Sequence, residues 1–199
     1  VDKVGNILQV YHACSEYEVE ENKFWYARAR LWCVHRAQMY DVSVRTIAAV
    51  ISALSPRNKW ERNLVDADQL LYAVKNGYSV ASVVCSTFMQ NVIKAYDIVA
   101  LGKPELAETS DKTRAFLNCI EDPASDDVVI DVWAMRVLTG DLKWKARGLS
   151  NGKYQECAKA YRIAGKEVVL RPMEVQAVTW CAVRNRKRAK ASATQMTMF

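Results

Sequence analysis

Nowhere in its 199 residues does the chain hold the roughly 20 consecutive apolar residues that a membrane-spanning helix needs. Its first residues, Val1-Asp2-Lys3-Val4-Gly5-Asn6, lack the apolar core of a secretory signal. The expectation is a soluble, intracellular protein with no membrane partner. Histidine is scarce: His12 and His35 lie far apart, without ligand-spaced neighbours. The six cysteines, Cys14, Cys33, Cys85, Cys119, Cys157 and Cys181, form no CxxC pair, and several lie in apolar helical runs where a thiol acts as a small core residue. These gaps argue against zinc or iron–sulfur centres and against a disulfide framework, so no metal and no cofactor is expected. Internal repeats and long linkers are also missing.

What is present is a composition able to form a core, 51% hydrophobic, in a chain long enough for one domain or two small lobes. The net charge of +6 is unevenly spread: Arg184, Arg186, Lys187, Arg188 and Lys190 supply five of those six charges, and residues 184–199 contain no acid. A basic cluster on a near-neutral body suits a polyanion, most often nucleic acid. The bland alternative is a solubilising tail.

Nearly every periodic segment reads as helix. Asn22 to Met39 forms one, with Glu18, Glu20 and Glu21 ahead of it to suit the positive end of its dipole. Ser43 can cap a second, in which Ile47, Val50, Ile51 and Leu54 stand at i, i+3, i+4 and i+7. The turn Ser55-Pro56-Arg57-Asn58 ends it, because proline disfavours helical geometry in the residue before it. Asn58, with Glu61 three residues on, resembles a capping box for a helix that runs to Asn76-Gly77. A short apolar helix from Ser79 or Ser82 and another over Thr87 to Leu101 follow. Thr109 or Ser110 can cap a helix through Ile120, and later helices cover Lys153 to Gly165 and Met173 to Arg184. Val168-Val169-Leu170 can be extended, but no second clear strand exists for it to pair with. The reading is one compact all-α unit, with residues 186–199 as a flexible basic tail.

The short β-branched run Val128-Val129-Ile130 leads into Asp131, and Gly140 ends the helix that follows. Counting from Asp131, Ala134, Met135 and Leu138 fall at i+3, i+4 and i+7, so the acid heads the stripe due for burial. A carboxylate there is either a cap for the free N–H groups of the helix start or a catalyst.

Three segments in order carry a resemblance: Leu54-Ser55-Pro56-Arg57-Asn58, then Leu106-Ala107-Glu108-Thr109-Ser110-Asp111-Lys112-Thr113, then Ile130-Asp131-Val132-Trp133. Together, over about residues 43–140, they resemble the helix-hairpin-helix DNA glycosylase superfamily that includes endonuclease III. In that family a Leu-Ser-Ala-Gln turn, a Leu-Pro-Gly-Val-Gly-x-Lys-Thr hairpin and a Val-Asp-Thr-His segment with the catalytic aspartate follow one another. Here both hairpin glycines are replaced, by Glu108 and Ser110; Trp133 stands where the histidine would be; and no C-terminal cysteine cluster is present. The resemblance therefore describes a remote relative with a degenerate hairpin and no iron–sulfur cluster.

What the resemblance implies is a two-lobed helical fold with a cleft between lobes, one over about 42–140 and the other made of 1–41 plus 141–185. It further implies a monomeric DNA glycosylase that flips and excises a damaged or modified base, which suits a cytoplasmic, nucleoid-associated setting in repair, phage biology or phage defence. Breaking the N-glycosidic bond builds positive charge on the sugar, which a carboxylate such as Asp131 stabilises, or it activates the attacking water. Lys112 corresponds to the amine that forms a Schiff base in bifunctional members, or is a phosphate-contacting or solvated lysine. Ser55, Arg57 and Asn58 match the loop that enters the gap left by the flipped base, although Asn58 is equally a helix cap and Arg57 an exposed loop residue. Thr109 and Ser110 can present N–H groups and hydroxyls to a phosphate, with Glu108 and Asp111 opposing. Arg186, Lys187 and Arg188 are candidate phosphate contacts. Trp133 and Trp25 are candidate walls of the base pocket. Two other classes stay open, a non-catalytic DNA-binding helical module and a phage-type enzyme that modifies nucleotides or bases.

Overall fold

The computed structural model describes residues 1–196, with side chains for residues 1–186. The chain is all-α, with no strand among the described residues. The helices are α1 (Lys3–His12), α2 (Glu16–Lys23), α3 (Trp25–Tyr40), α4 (Val44–Leu54), α5 (Trp60–Lys75), α6 (Met89–Ala100), α7 (Asp111–Glu121), α8 (Val132–Thr139), α9 (Asn151–Glu167) and α10 (Pro172–Met196). Short 3-10 turns lie at Val80–Ser82 and Pro104–Ala107. No helix among the described residues is long and apolar enough to cross a membrane.

Local chemistry accounts for most boundaries. Ser43 caps α4 through Thr46, and residues Thr46 to Leu54 are all buried, as its apolar periodicity requires. Gly140 ends α8 at φ +68, a left-handed conformation that favours glycine. The single helix expected over Asn22–Met39 is instead two: Ser15 and Glu18 close a capping box that starts α2, so Glu18, Glu20 and Glu21 lie inside a helix rather than ahead of one. At α5 the N-cap is Lys59, without a side-chain bond, because Asn58 turns its amide to Asp66 (2.8 Å) instead. The helix expected from Ser79 or Ser82 is only a 3-10 turn. Val168-Val169-Leu170 closes the end of α9, with Leu170 N–H donating to the Gly165 carbonyl at 2.9 Å. The last helix runs past Arg184 to Met196. The rest of the expected tail over 186–199, including the side chains of Lys187, Arg188 and Lys190, lies outside the described residues.

The chain divides into two compact units, one of residues 1–26 and 125–199 and the other of residues 27–124. In the first, α10 packs on α9, α2, α8 and α1, and α1 also meets α8 and α9. In the second, α4 is the central helix, covered by α5, α6, α7 and the Pro104–Ala107 turn. Full burial of Ile47, Val50, Ile51 and Leu54 stabilises the second unit by about 1.5–3 kcal/mol per side chain. The division falls after residues 26 and 124; the lobes that the resemblance implies divide at about 42 and 140. Most of α3 belongs with α5, tied by the Arg36–Asp68 fork and by Lys75 donating to the Met39 carbonyl. The Asp131 segment and α8 belong with the terminal helices that bury them.

Candidate functional site

In the first unit, Val128, Val129 and Ile130 are buried without any strand partner. Their backbone groups still need hydrogen bonds, and the Tyr154 hydroxyl on α9 supplies two of them. It donates to the Val128 carbonyl (2.8 Å) and accepts from the Ile130 N–H (3.1 Å). That clamp delivers Asp131 to the head of α8.

Asp131 is half-buried, and its Oδ1 accepts from the N–H groups of Trp133 and Ala134, both at 2.9 Å. The cap is therefore real. Two backbone donors and the positive end of a helix dipole hold the carboxylate as a fixed negative charge, an arrangement suited to stabilising a nearby cation. The far end of α8 is tied as well: Asn6 on α1 donates to the Leu138 carbonyl at 3.0 Å.

Trp133, half-buried two residues from Asp131, carries the Arg136 guanidinium over its ring at 4.4 Å. Arg136 also donates to the Trp144 carbonyl at 3.3 Å, which fixes the loop after α8. Tyr161 of α9 is wholly buried, and burial pushes its ionisation far up, with Thr179 opposing and the Asp131 charge adding to that rise. Trp25 is half-buried and packs edge-on against Trp180 at 5.4 Å, inside the same unit. Arg186 is exposed but turned to the Ala13 carbonyl (2.6 Å), tying α10 to the end of α1.

The remaining candidates lie in the second unit. Ser110 caps α7, and its hydroxyl and the Thr113 hydroxyl each accept the other residue's N–H at 3.2 Å. Lys112 stands in the first turn of α7, half-buried. Each acid that would oppose a phosphate here has an arginine: Glu108 pairs with Arg45 (2.5 Å) and Asp111 with Arg114. Lys94 of α6 donates to the Thr109 hydroxyl at 3.1 Å, adding a cation to this segment. No spacing in the sequence reports Lys94, since the two residues meet only in the tertiary fold.

The turn Ser55-Pro56-Arg57-Asn58 is held from below by Asp66, whose side chain is wholly buried. Asp66 accepts from Asn58 (2.8 Å), Arg62 (2.6 Å) and the Ser86 N–H (2.7 Å), while the Thr87 hydroxyl donates to the Pro56 carbonyl at 2.8 Å. Arg57 is exposed, adopts φ +61, and lays its guanidinium 5.3 Å from the Phe88 ring centre. A non-glycine residue in that conformation stores about 1–2 kcal/mol of strain, held here by the contacts of its neighbours. Ser55 spends its hydroxyl on the Ser52 carbonyl (2.9 Å). No motif marks Asp66 in the sequence; its only trace there is that it and Asn63 stand as polar residues on the buried, Leu70 side of α5.

The structure thus gathers Asp131, Trp133, Trp25 and Arg186 in one unit and Lys112, Ser55, Arg57, Asn58, Thr109 and Ser110 in the other. No group of three or more His, Cys, Asp or Glu side chains that could hold a metal ion occurs among the described residues. A family model described as a family of unknown function (DUF7178) matches residues 2–187. No curated protein and no solved structure matches the chain.

Proposed function

The chain belongs to the DUF7178 family, and for it we propose the activity of a DNA glycosylase that cleaves the N-glycosidic bond of a flipped, damaged or modified base. In this reading the two helical units are the two lobes of a glycosylase-like arrangement, and the protein works as a monomer on DNA. Asp131 is the catalytic carboxylate. As the base departs with the bonding electron pair, positive charge grows on the deoxyribose, and the anchored anion lowers the energy of that state; water then adds to the sugar carbon and gives up a proton, the base gains one, and an abasic site and the free base result.

The observation that carries the reading is the Asp131 carboxylate, half-buried and pinned by two N–H donors at the head of α8, with Trp133 beside it. Partial burial weakens dielectric screening of its field. The order of the turn, the hairpin-like segment and the aspartate segment along the chain supports it further. Arg57, on a strained and rigidly held turn, is the side chain proposed to enter the duplex. Lys94, Thr109, Ser110 and the basic end of α10 are proposed phosphate contacts. Lys112 enters only as the amine of a separate lyase step, which borohydride trapping of a covalent protein–DNA adduct would reveal.

The two cap bonds of Asp131 equally favour a second reading, a DNA-binding module without catalysis. Incubation with genomic DNAs of differing modification, followed by mass spectrometry of liberated bases, separates the two. Wild type is expected to release a base and Asp131→Asn to bind DNA without release. Binding by wild type with no base released from any DNA would leave the module.

A further inference from the structure

The second unit contains an open groove of about 530 Å³ between the α5 surface and the segment after it, including Tyr40, Asp68, Gln69, Tyr72, Tyr78 and Val84 in its wall. That volume lies in the range of small-molecule sites. The groove is built by the end of α5. Gly77 at φ +70 lets the chain reverse, Tyr78 N–H returns to the Ala73 carbonyl (2.9 Å), and Tyr96 fixes the Tyr78 carbonyl from α6 (2.8 Å). Tyr78 is thereby brought back beside Tyr72, with ring centres 6.1 Å apart and planes tilted by 51°. Both tyrosines stay about half exposed, at 54% and 51%, and both line the groove.

The polar wall is equally ordered. Arg36 grips Asp68 with two parallel bonds, Nε to Oδ1 (2.7 Å) and Nη2 to Oδ2 (2.8 Å), and the Tyr40 hydroxyl lies 3.3 Å from Oδ1. Oδ1 faces Arg36 and the Tyr40 hydroxyl, whose one proton is shared with the Asp68 carbonyl (3.4 Å), and Oδ2 faces Arg36 alone, so Oδ2 keeps an acceptor position. Gln69 beside it is exposed and brings an amide, which both donates and accepts. Aromatic faces with an adjacent acceptor and amide complement a flat heterocycle whose edge carries N–H and C=O groups side by side.

An organic cation fits less well. The Asp68 charge is already matched by Arg36, and the Lys75 ammonium sits 5.6 Å from the Tyr40 ring centre, held by the Met39 carbonyl. The balance of Arg36 and Lys75 against Asp68 is positive, which tolerates a phosphate on the ligand.

We propose that this groove binds a nucleobase, stacked on the face of Tyr72 with the tilted Tyr78 ring against its side, and read along its edge by Gln69 and Asp68. The proposal is independent of the glycosylase reading, because every residue it uses lies in residues 27–124 and Asp131 does not.

The test is ligand-observed NMR titration of the full chain with the four nucleoside 5′-monophosphates and with a single-stranded decanucleotide. Ribose 5-phosphate and tetramethylammonium serve as controls. The first two arms separate a free nucleotide from a base within a strand. At least one base-bearing probe should bind, neither control should compete, and Tyr72→Ala or Tyr78→Ala should weaken binding at least about fivefold, as loss of base stacking does. Tyr72→Phe keeps the stacking face and should restore it. Both tyrosines are half exposed, and thermal melts confirm that the variants fold. No binding of any base-bearing probe at millimolar concentration, equal binding by a control, or full affinity in both alanine variants would overturn the proposal.

Discussion

At the head of α8 the choice of side chain separates two roles that aspartate can combine. Asparagine caps helices about as well as aspartate, because its amide oxygen accepts the same N–H bonds, but it carries no charge. Asp131→Asn should therefore keep the bonds to Trp133 and Ala134 and unfold in urea within about 0.5 kcal/mol of wild type. Asp131→Ala removes the acceptor and should cost about 0.5–2 kcal/mol. Equal loss of stability in both variants would show that the charge, and not the cap geometry, holds this end of the helix. The cap itself was legible from a lone acid at the start of an amphipathic stripe. Whether the carboxylate also faces a substrate was not, since that depends on Tyr154, Tyr161 and Asn6, which meet this segment only in the folded chain.

Among the elements, the Val128–Ile130 run shows how a tertiary contact can replace a missing strand partner. Tyr154→Phe leaves the Val128 carbonyl and the Ile130 N–H buried without the hydroxyl that serves both. At about 1–3 kcal/mol per orphaned group, denaturant melts should show a loss of at least roughly 2 kcal/mol. A loss under about 0.5 kcal/mol would mean that the clamp is dispensable.

Charge links α1 to α9 in the same unit. Lys3, and next Lys153, hold the Glu156 carboxyl down at about 2 from an ordinary 4.5. The folded chain therefore binds this proton less readily than the unfolded chain. The stabilisation is fully present above about 4.5 and is lost as pH falls toward about 2. Urea midpoints of wild type and Glu156→Gln should differ near neutrality and converge through that window. A constant gap across it would contradict the assignment.

Element boundaries with a local cause could be read from the sequence: Ser43 before α4, Gly140 after α8, and a cap before α7 that the sequence narrows to Thr109 or Ser110 and the fold assigns to Ser110. The capping box of Ser15 and Glu18 was equally local, yet the acids around it read as a prelude to one long helix. Asn58 misled for a different reason. Its amide satisfies the buried Asp66, and that demand outweighs the cap it offers in sequence.

For the whole molecule, helical periodicity with no pair of strands was enough to establish the all-α class, but not which helices associate. The division after residues 26 and 124 follows from packing between helices distant in sequence, α10 against α2 and α8 against α1 among them. Charge distribution is a whole-chain property that sequence does report. Five of the six net positive charges lie beyond residue 183, and the proposed DNA contact of the α10 end rests on them. The family of unknown function to which the chain belongs leaves the activity to be decided by chemistry. The decisive measurement is mass spectrometry of free bases released from modified genomic DNA by wild type and by Asp131→Asn at matched DNA occupancy. Wild type is expected to release base and the variant at least about a hundredfold less; release that survives the substitution would rule out Asp131 as the catalytic carboxylate.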